Sequence, residues 1–368
     1  MTVLTPNEKL TGTPHQKREI YERLTRFRQQ PDHTLKLSET HPSLAFQTLD
    51  QVLAGFGDRE VFTLGVRLAR ERFAELGLSE LLLHERVFVG VTSTRPAWGG
   101  FHYPNPAPEG LPPGYRYVQA AAVITCYGDL HGDMPSTSGV AGLDLIRSYT
   151  HDCFHWGTFR SYRLGPTGIH RNQHGINFRR EDGSSYSARD PQGSASTRNL
   201  GVIMEGAFDR EATAVVRDVA ATAGITCPTA SMDRYAWHDS TGDGLSAPDR
   251  ANPWLTAMNG YAALVTAPYA AFLGEIGGPD SDELHELIIR ATLDGNLAPL
   301  QSWLEDRYGP GEFMALFRSS AYSGVRVMGT ATPRQGNVVG GTAITDTSFS
   351  RSAVFKVAPR SPPHPSRG

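Results

Sequence analysis

The sequence predicts an α+β protein: a strand-containing N-terminal part, two long helices with a β-hairpin between them, and a mostly helical C-terminal part. Three observations predict it. Apolar residues recur at helical spacing over 59–76, about 139–163 and 199–223. β-rich runs stand at ERVFVGVTST (85–94) and YVQAAAVITCY (117–127). From 254 to about 320 the pattern is again helical, including DELHELIIRATLDG and APLQSWLEDRYG.

Each element follows from local chemistry. Gln16–Gln29 is charged and helix-prone, and the 59–76 helix stops at Gly77, a residue suited to a left-handed cap. WGGFHYPNPAPEGLPPGYRY (98–117) is rich in Pro and Gly and reads as a loop, and GDLHGDMPSTSG (128–139) reads as turns. Ser136, Thr137 or Ser138 then caps a helix running to about Arg163. GINFRREDGSSYSAR (175–189) reads as a hairpin around Asp182-Gly183. A helix over 199–223 ends at Gly224, and 226–253 is rich in loop residues. Residues 324–357 read as short strands with Gly turns. A length of 368 residues is that of about two domains. The expected division is 1–225 for the α+β part, 226–357 for the mostly helical part ending in short strands, and 358–368 for a disordered tail.

Composition excludes several functions. Net charge is −3 with no dense Lys/Arg run, which argues against a nucleic-acid binder. Only Lys9, Lys17, Lys36 and Lys356 are lysines among 35 basic residues, a bias that points to a high-GC bacterial gene. Cys126, Cys153 and Cys227 are odd in number and scattered, which fits a reducing cytoplasm better than a disulfide framework. The N-terminus lacks the apolar run of a signal peptide. The most apolar stretch, Tyr261–Leu273, falls below the roughly 18 residues of a membrane span. A cytoplasmic protein with no membrane partner is expected, acting on a peptide or small molecule.

Chemistry concentrates in SYTHDCFHWGTFRSYR (148–163) and NLGVIMEGAFDREA (199–212). His151 and His155 stand four apart on one helix, so their Cβ atoms lie about 5–6 Å apart on one face. Two imidazoles so placed converge on one Zn²⁺ at about 2.0–2.1 Å. Asp144, Ser148, His151, His155 and Tyr162 share a polar stripe, while Leu143, Ile146, Cys153 and Trp156 face elsewhere. Asp152 sits where a carboxylate reaches an activated water. Glu205 and Asp209 are also four apart, with Gly201, Gly206, Ala207 and Ala212 allowing a close helix approach. Glu205 can be the third ligand, and Asp209 can orient a ligand histidine. The competing reading is a hydrogen-bonded polar helix face. Arg160 and Arg163 extend the first helix and can hold a substrate carboxylate. His170 and His174, placed in a loop, read as a solvated hairpin edge or as substrate contacts or alternative ligands. Tyr235 and His238, downstream of Glu205, are candidate catalytic donors to a developing oxyanion, with an ordinary loop as the competing reading.

These two segments resemble the gluzincin, thermolysin-like metallopeptidases, whose signature is HExxH on one helix and a glutamate ligand on a later one. GVIMEGAFD (201–209) is similar to the third-ligand helix of that family. The resemblance implies zinc ligation by His151, His155 and Glu205, with support from Asp209. It covers about two helices, and Asp152 stands where the family has glutamate. The expected function is a zinc-dependent hydrolase of an amide or related carbonyl bond, with water activated by Asp152. The alternative is a metal-dependent non-peptidase enzyme of small-molecule biosynthesis using the same His/His/Glu set. A third is a non-enzymatic structural protein. N and O ligands suit Zn²⁺, but also Fe²⁺, Ni²⁺ or Mn²⁺. Oligomeric state is not legible.

Overall fold

The computed structural model describes residues 4, 7–28, 44–55, 59–81, 84, 87–93, 100–102, 119–121, 140–166, 168–180, 185–187, 189–229, 231–242 and 262–318. Among these the protein is mixed helix and strand, with helix predominating. The expected strands of 324–357 and the tail 358–368 lie outside the described residues.

Two small sheets flank the helices. In the first, β1 (Glu8–Leu10) pairs parallel to β6 (Arg160–Gly165), which pairs antiparallel to β7 (Gly168–His174) and then to β8 (Asn177–Phe178). The second sheet runs β2 (Leu44–Thr48), β3 (Val87–Ser93), β5 (Gln119–Ala121), β4 (Gly100–His102), with β3 and β5 parallel. The Pro/Gly-rich stretch read as loop therefore contributes β4, whose partner lies in the N-terminal half of the expected 117–127 strand.

Helices α1 (Pro14–Arg28), α2 (Leu49–Gly55) and α3 (Arg59–Glu75) lead to α4 (Val140–Gly157), the helix of the two histidines. This last helix stops six residues before the expected Arg163. Gly157 ends it, and the alternating run Arg160-Ser-Tyr-Arg finds strand partners on both sides, β1 and β7, so its backbone groups are bonded without a helix. Arg160, Arg163 and Tyr162 thus belong to a strand. Tyr162 leaves the polar stripe and donates its hydroxyl to Glu8 at 3.0 Å. His170 and His174 are likewise on β7 rather than in a loop. The main hairpin is β6–β7, one element earlier than Asp182-Gly183, although a single bridge, Arg179 with Ser185, spans that turn.

The ligand-bearing helix α5 (Leu200–Ala223) has the expected bounds. The Asn199 side chain accepts from the backbone N–H of Gly201 and Val202, and Gly224 closes the C-terminus at φ 66°. Next, α6 (Ser231–Thr241) is a helix where a loop is expected. The chain continues from 262 to 277 as a π-turn, the short α7 (Ala267–Phe272) and a second π-turn, then α8 (Ser281–Asp294), α9 (Ala298–Tyr308) and α10 (Glu312–Arg318).

One apolar cluster wraps α4 and α5 and takes residues from both sides of position 225, Phe208 and Val216 before it and Tyr269, Phe272 and Leu284 after it. A smaller one joins Ile20 and Leu24 of α1 to Tyr162 and Ile169 of the first sheet. Gly206 is what lets α7 lie on α5: a Cβ there would stand 2.4 Å from the Tyr269 Cβ. Tyr269 then bonds His285 Nδ1 at 2.7 Å, His285 Nε2 meets Glu211 at 2.9 Å, and Arg72 grips Glu211 through two bonds of 2.7 and 2.8 Å. This chain of bonds pins α3, α5, α7 and α8 together. No helix among the described residues is long and apolar enough to cross a membrane.

Candidate metal centre

His151 and His155 present Nε2 atoms 3.1 Å apart, and Glu205 Oε2 lies 3.3 Å from the first and 3.2 Å from the second. The three atoms form a near-equilateral triangle. Tetrahedral ligands at about 2.0–2.1 Å from an ion stand about 3.3–3.4 Å from one another. Octahedral neighbours stand about 2.8–3.0 Å apart at the same bond length. The observed edges of 3.1–3.3 Å lie between the two. With both Nε2 atoms unprotonated, a cation among the three would meet all of them; an Nε2–H on either ring would instead donate to the Glu205 carboxylate. The set is thus a His/His/carboxylate group able to hold a metal ion.

Two antiparallel helices make the triangle. The imidazoles stack one helical turn apart on α4, and α5 brings Glu205 against them. Phe208 sits edge-on to both rings, at 5.9 Å from His151 and 4.8 Å from His155, and lies parallel to Phe154 at 5.7 Å. His155 is nearly enclosed, with a side-chain exposure of 2%, while His151 and Glu205 keep 14% and 11%. The accessible edge of the triangle is therefore on the His151–Glu205 side. Burial works to raise the Glu205 carboxyl, but the His155 and His151 imidazoles outweigh it and hold Glu205 well below the ordinary carboxylate range. Burial pushes the His151 imidazole down, against the pull of Glu205.

The other sequence candidates are placed as follows. Asp152 is buried on α4, about 100° around from His151, and burial, then the charge of Glu205, push its carboxyl well up. Asp209 does not meet a ligand imidazole. One oxygen accepts from Arg147 at 2.6 Å and the other from the Thr266 hydroxyl at 2.9 Å. Arg160 is fully buried, and its guanidinium caps the end of α4 through the carbonyls of His155 and Trp156. His170 lies opposite Arg163 on the sheet and His174 opposite Arg160. Burial, then Arg171 and Arg160, hold the His174 ring uncharged. His238 is on α6, 4.0 Å from the Cys227 sulfur and apart from the triangle. The Tyr235 side chain lies outside the described residues. Cys153 is the small core residue expected.

Sequence reading missed Arg147, Asp239 and Thr266, which lie one turn from the triangle. The Arg147 guanidinium donates to Asp209 and, at 3.0 Å, to Asp239 of α6. The available signal was that Arg147 is four residues before His151, on the same stripe. Asp144, one turn earlier still, is buried, and burial pushes its carboxyl up to about 8, with Arg147 opposing and Asp239 assisting. Burial likewise raises Asp239 to about 6.

A pH dependence follows. Because the folded pKa of Asp144 is above its ordinary value of 3.8, the native state holds a proton that the unfolded chain releases. That stability is complete below the ordinary value and is lost as pH rises toward about 8. Between pH 6.5 and 8, denaturant-derived stability should fall by up to about 1.4 kcal/mol per pH unit. Asp144→Asn should flatten that limb while leaving the Asp239 contribution at lower pH, and an unchanged slope would show that Asp144 is already ionised.

Compared with known proteins, the chain matches no family model, no curated protein and no solved structure.

Proposed function

We propose that the protein is a metal-dependent hydrolase, with zinc as the favoured ion, acting on an amide or related carbonyl bond of a peptide or small-molecule substrate. The observation that supports this is the triangle of ligand atoms with edges of 3.1–3.3 Å, open toward His151 and Glu205. A divalent ion held there supplies Lewis acidity toward a carbonyl and lowers the pKa of water. His151 and His155 hold it as neutral donors, and Glu205 contributes the single negative charge. Asp152, beside His151, accepts a proton from the attacking water and returns it to the leaving group. The likeness of HDxxH and ExxxD to the gluzincin pattern supports the same assignment.

The test is elemental analysis of protein purified without chelators, followed by a panel of peptide, amide and ester substrates with and without chelation. About one transition metal per chain and chelator-sensitive hydrolysis are expected. Protein that holds no stoichiometric metal even after zinc loading overturns the reading. One observation favours a second: Asp152 is buried and one methylene shorter than the usual glutamate. A metal-dependent enzyme of small-molecule biosynthesis would use Asp152 as acid and base in a cyclisation, elimination or transfer. Metal-loaded protein inert on the whole panel would point there.

A further inference from the structure

The three ligand atoms come from only two helices. Two sit on α4 and are fixed relative to each other by the helix itself. With the side chains held in these rotamers, the triangle opens only by α5 sliding along or away from α4. A displacement of about 0.5 Å carries Glu205 Oε2 outside the roughly 0.2 Å tolerance of a metal–ligand bond. Whatever fixes the register of these two helices fixes the site.

We infer that Arg147 is the positioning residue of the metal centre, its bond to Asp209 forming a rung that holds α4 and α5 in register one turn away from the ligands. This inference rests on the metal-site reading above. Arg147 is four residues before His151 and Asp209 is four after Glu205, so in an antiparallel pair the rung lies directly beneath the triangle, about 6 Å along the axis. The Arg147–Asp209 bond is 2.6 Å and both side chains are buried, at 7% and 4% exposure. The rung is tied outward on both sides. The other arm of Arg147 holds Asp239 of α6 at 3.0 Å, and the free oxygen of Asp209 holds Thr266, the last residue of the first π-turn. Four elements thus meet at the Arg147–Asp209 pair. An arginine suits this place, because its planar fork serves two carboxylates at fixed angles where a lysine would serve one.

Electrostatics alone predicts the opposite of what positioning predicts, and this makes the inference testable. Arg147 is a cation one turn from a site for a cation. If its charge were all that mattered, removing it would tighten metal binding. If it sets the register, removing it loosens binding in spite of the charge. The experiment is Co²⁺ affinity by chelator competition, with the visible d–d spectrum recorded, on wild type, Arg147→Gln and Asp209→Glu. The last keeps every charge and moves the rung by one methylene. Leu24→Ala, in the small second core, serves as a destabilised control far from the site. Affinity is expected to fall about 10–100-fold in both rung variants, with a changed d–d band, and to stay at wild type in the control. Wild-type or tighter Co²⁺ affinity in folded Arg147→Gln overturns the inference. If that variant does not fold, unchanged affinity and spectrum in Asp209→Glu overturn it instead. Wild-type protein that takes up no Co²⁺ defeats the metal-site reading itself, a distinct outcome.

Discussion

Glu205→Gln should release the metal while leaving the protein folded. Glutamine has the shape of glutamate and still hydrogen-bonds an imidazole, so the packing of α5 against Phe154 and Tyr269 is retained. What disappears is the only negative charge among the three donors. A neutral amide oxygen between two neutral imidazoles is a poor site for a divalent ion, and affinity should drop by at least about 10²-fold, one ligand's share of a typical protein–zinc binding energy. Chelator competition on the zinc-loaded variant, with circular dichroism to verify the fold, measures it. Stoichiometric zinc retained against the same chelator concentration as wild type would remove Glu205 from the ligand set.

Asp152→Asn is the second large effect, and it falls on rate instead of binding. Asn is isosteric with aspartic acid and Asp152 is buried at 3% exposure, so the exchange leaves no cavity. Metal content and thermal midpoint should stay near wild type, while kcat drops by about 10²–10⁴-fold, the usual worth of a positioned proton carrier. A structural Asp152 gives the reverse pattern: lower stability, with activity lost only in proportion to folded protein. Full turnover in a stable, metal-loaded Asp152→Asn chain would take the residue out of the chemistry and weaken the case for hydrolysis with it.

The ligand triangle was legible because it is written in helix periodicity. His151, His155 and Glu205 lie on long helices, and Asn199 and Gly224 bound α5 where the sequence places them. The junction after α4 was not legible for a physical reason. Arg160–Gly165 is a strand because β1, some 150 residues away in the chain, pairs with it. No window of local sequence contains that partner, whereas His170 and His174 are strand residues through the local β6–β7 hairpin, which the stronger turn signal at Asp182-Gly183 obscured. Asp209 shows a different limit. Spacing placed it on the correct face of α5, but spacing does not say which neighbour claims a carboxylate. Arg147 is the stronger partner for a buried negative charge, and it reaches Asp209 first.

The triangle also spans the chain. His155 and Glu205 are separated by 50 residues, a stretch that contains the whole β6–β8 sheet edge and the cap of α5. In the unfolded chain, bringing these two positions together costs on the order of 3–4 kcal/mol of loop entropy before any ion is held. The native fold has already closed that loop. An ion held by the proposed site would bind the native chain in preference to the unfolded one, and free metal at about 100 times its dissociation constant would add about 2.7 kcal/mol to folding. Resistance to unfolding would then rise and fall with the metal supply of the compartment, making the amount of intact protein a readout of that supply.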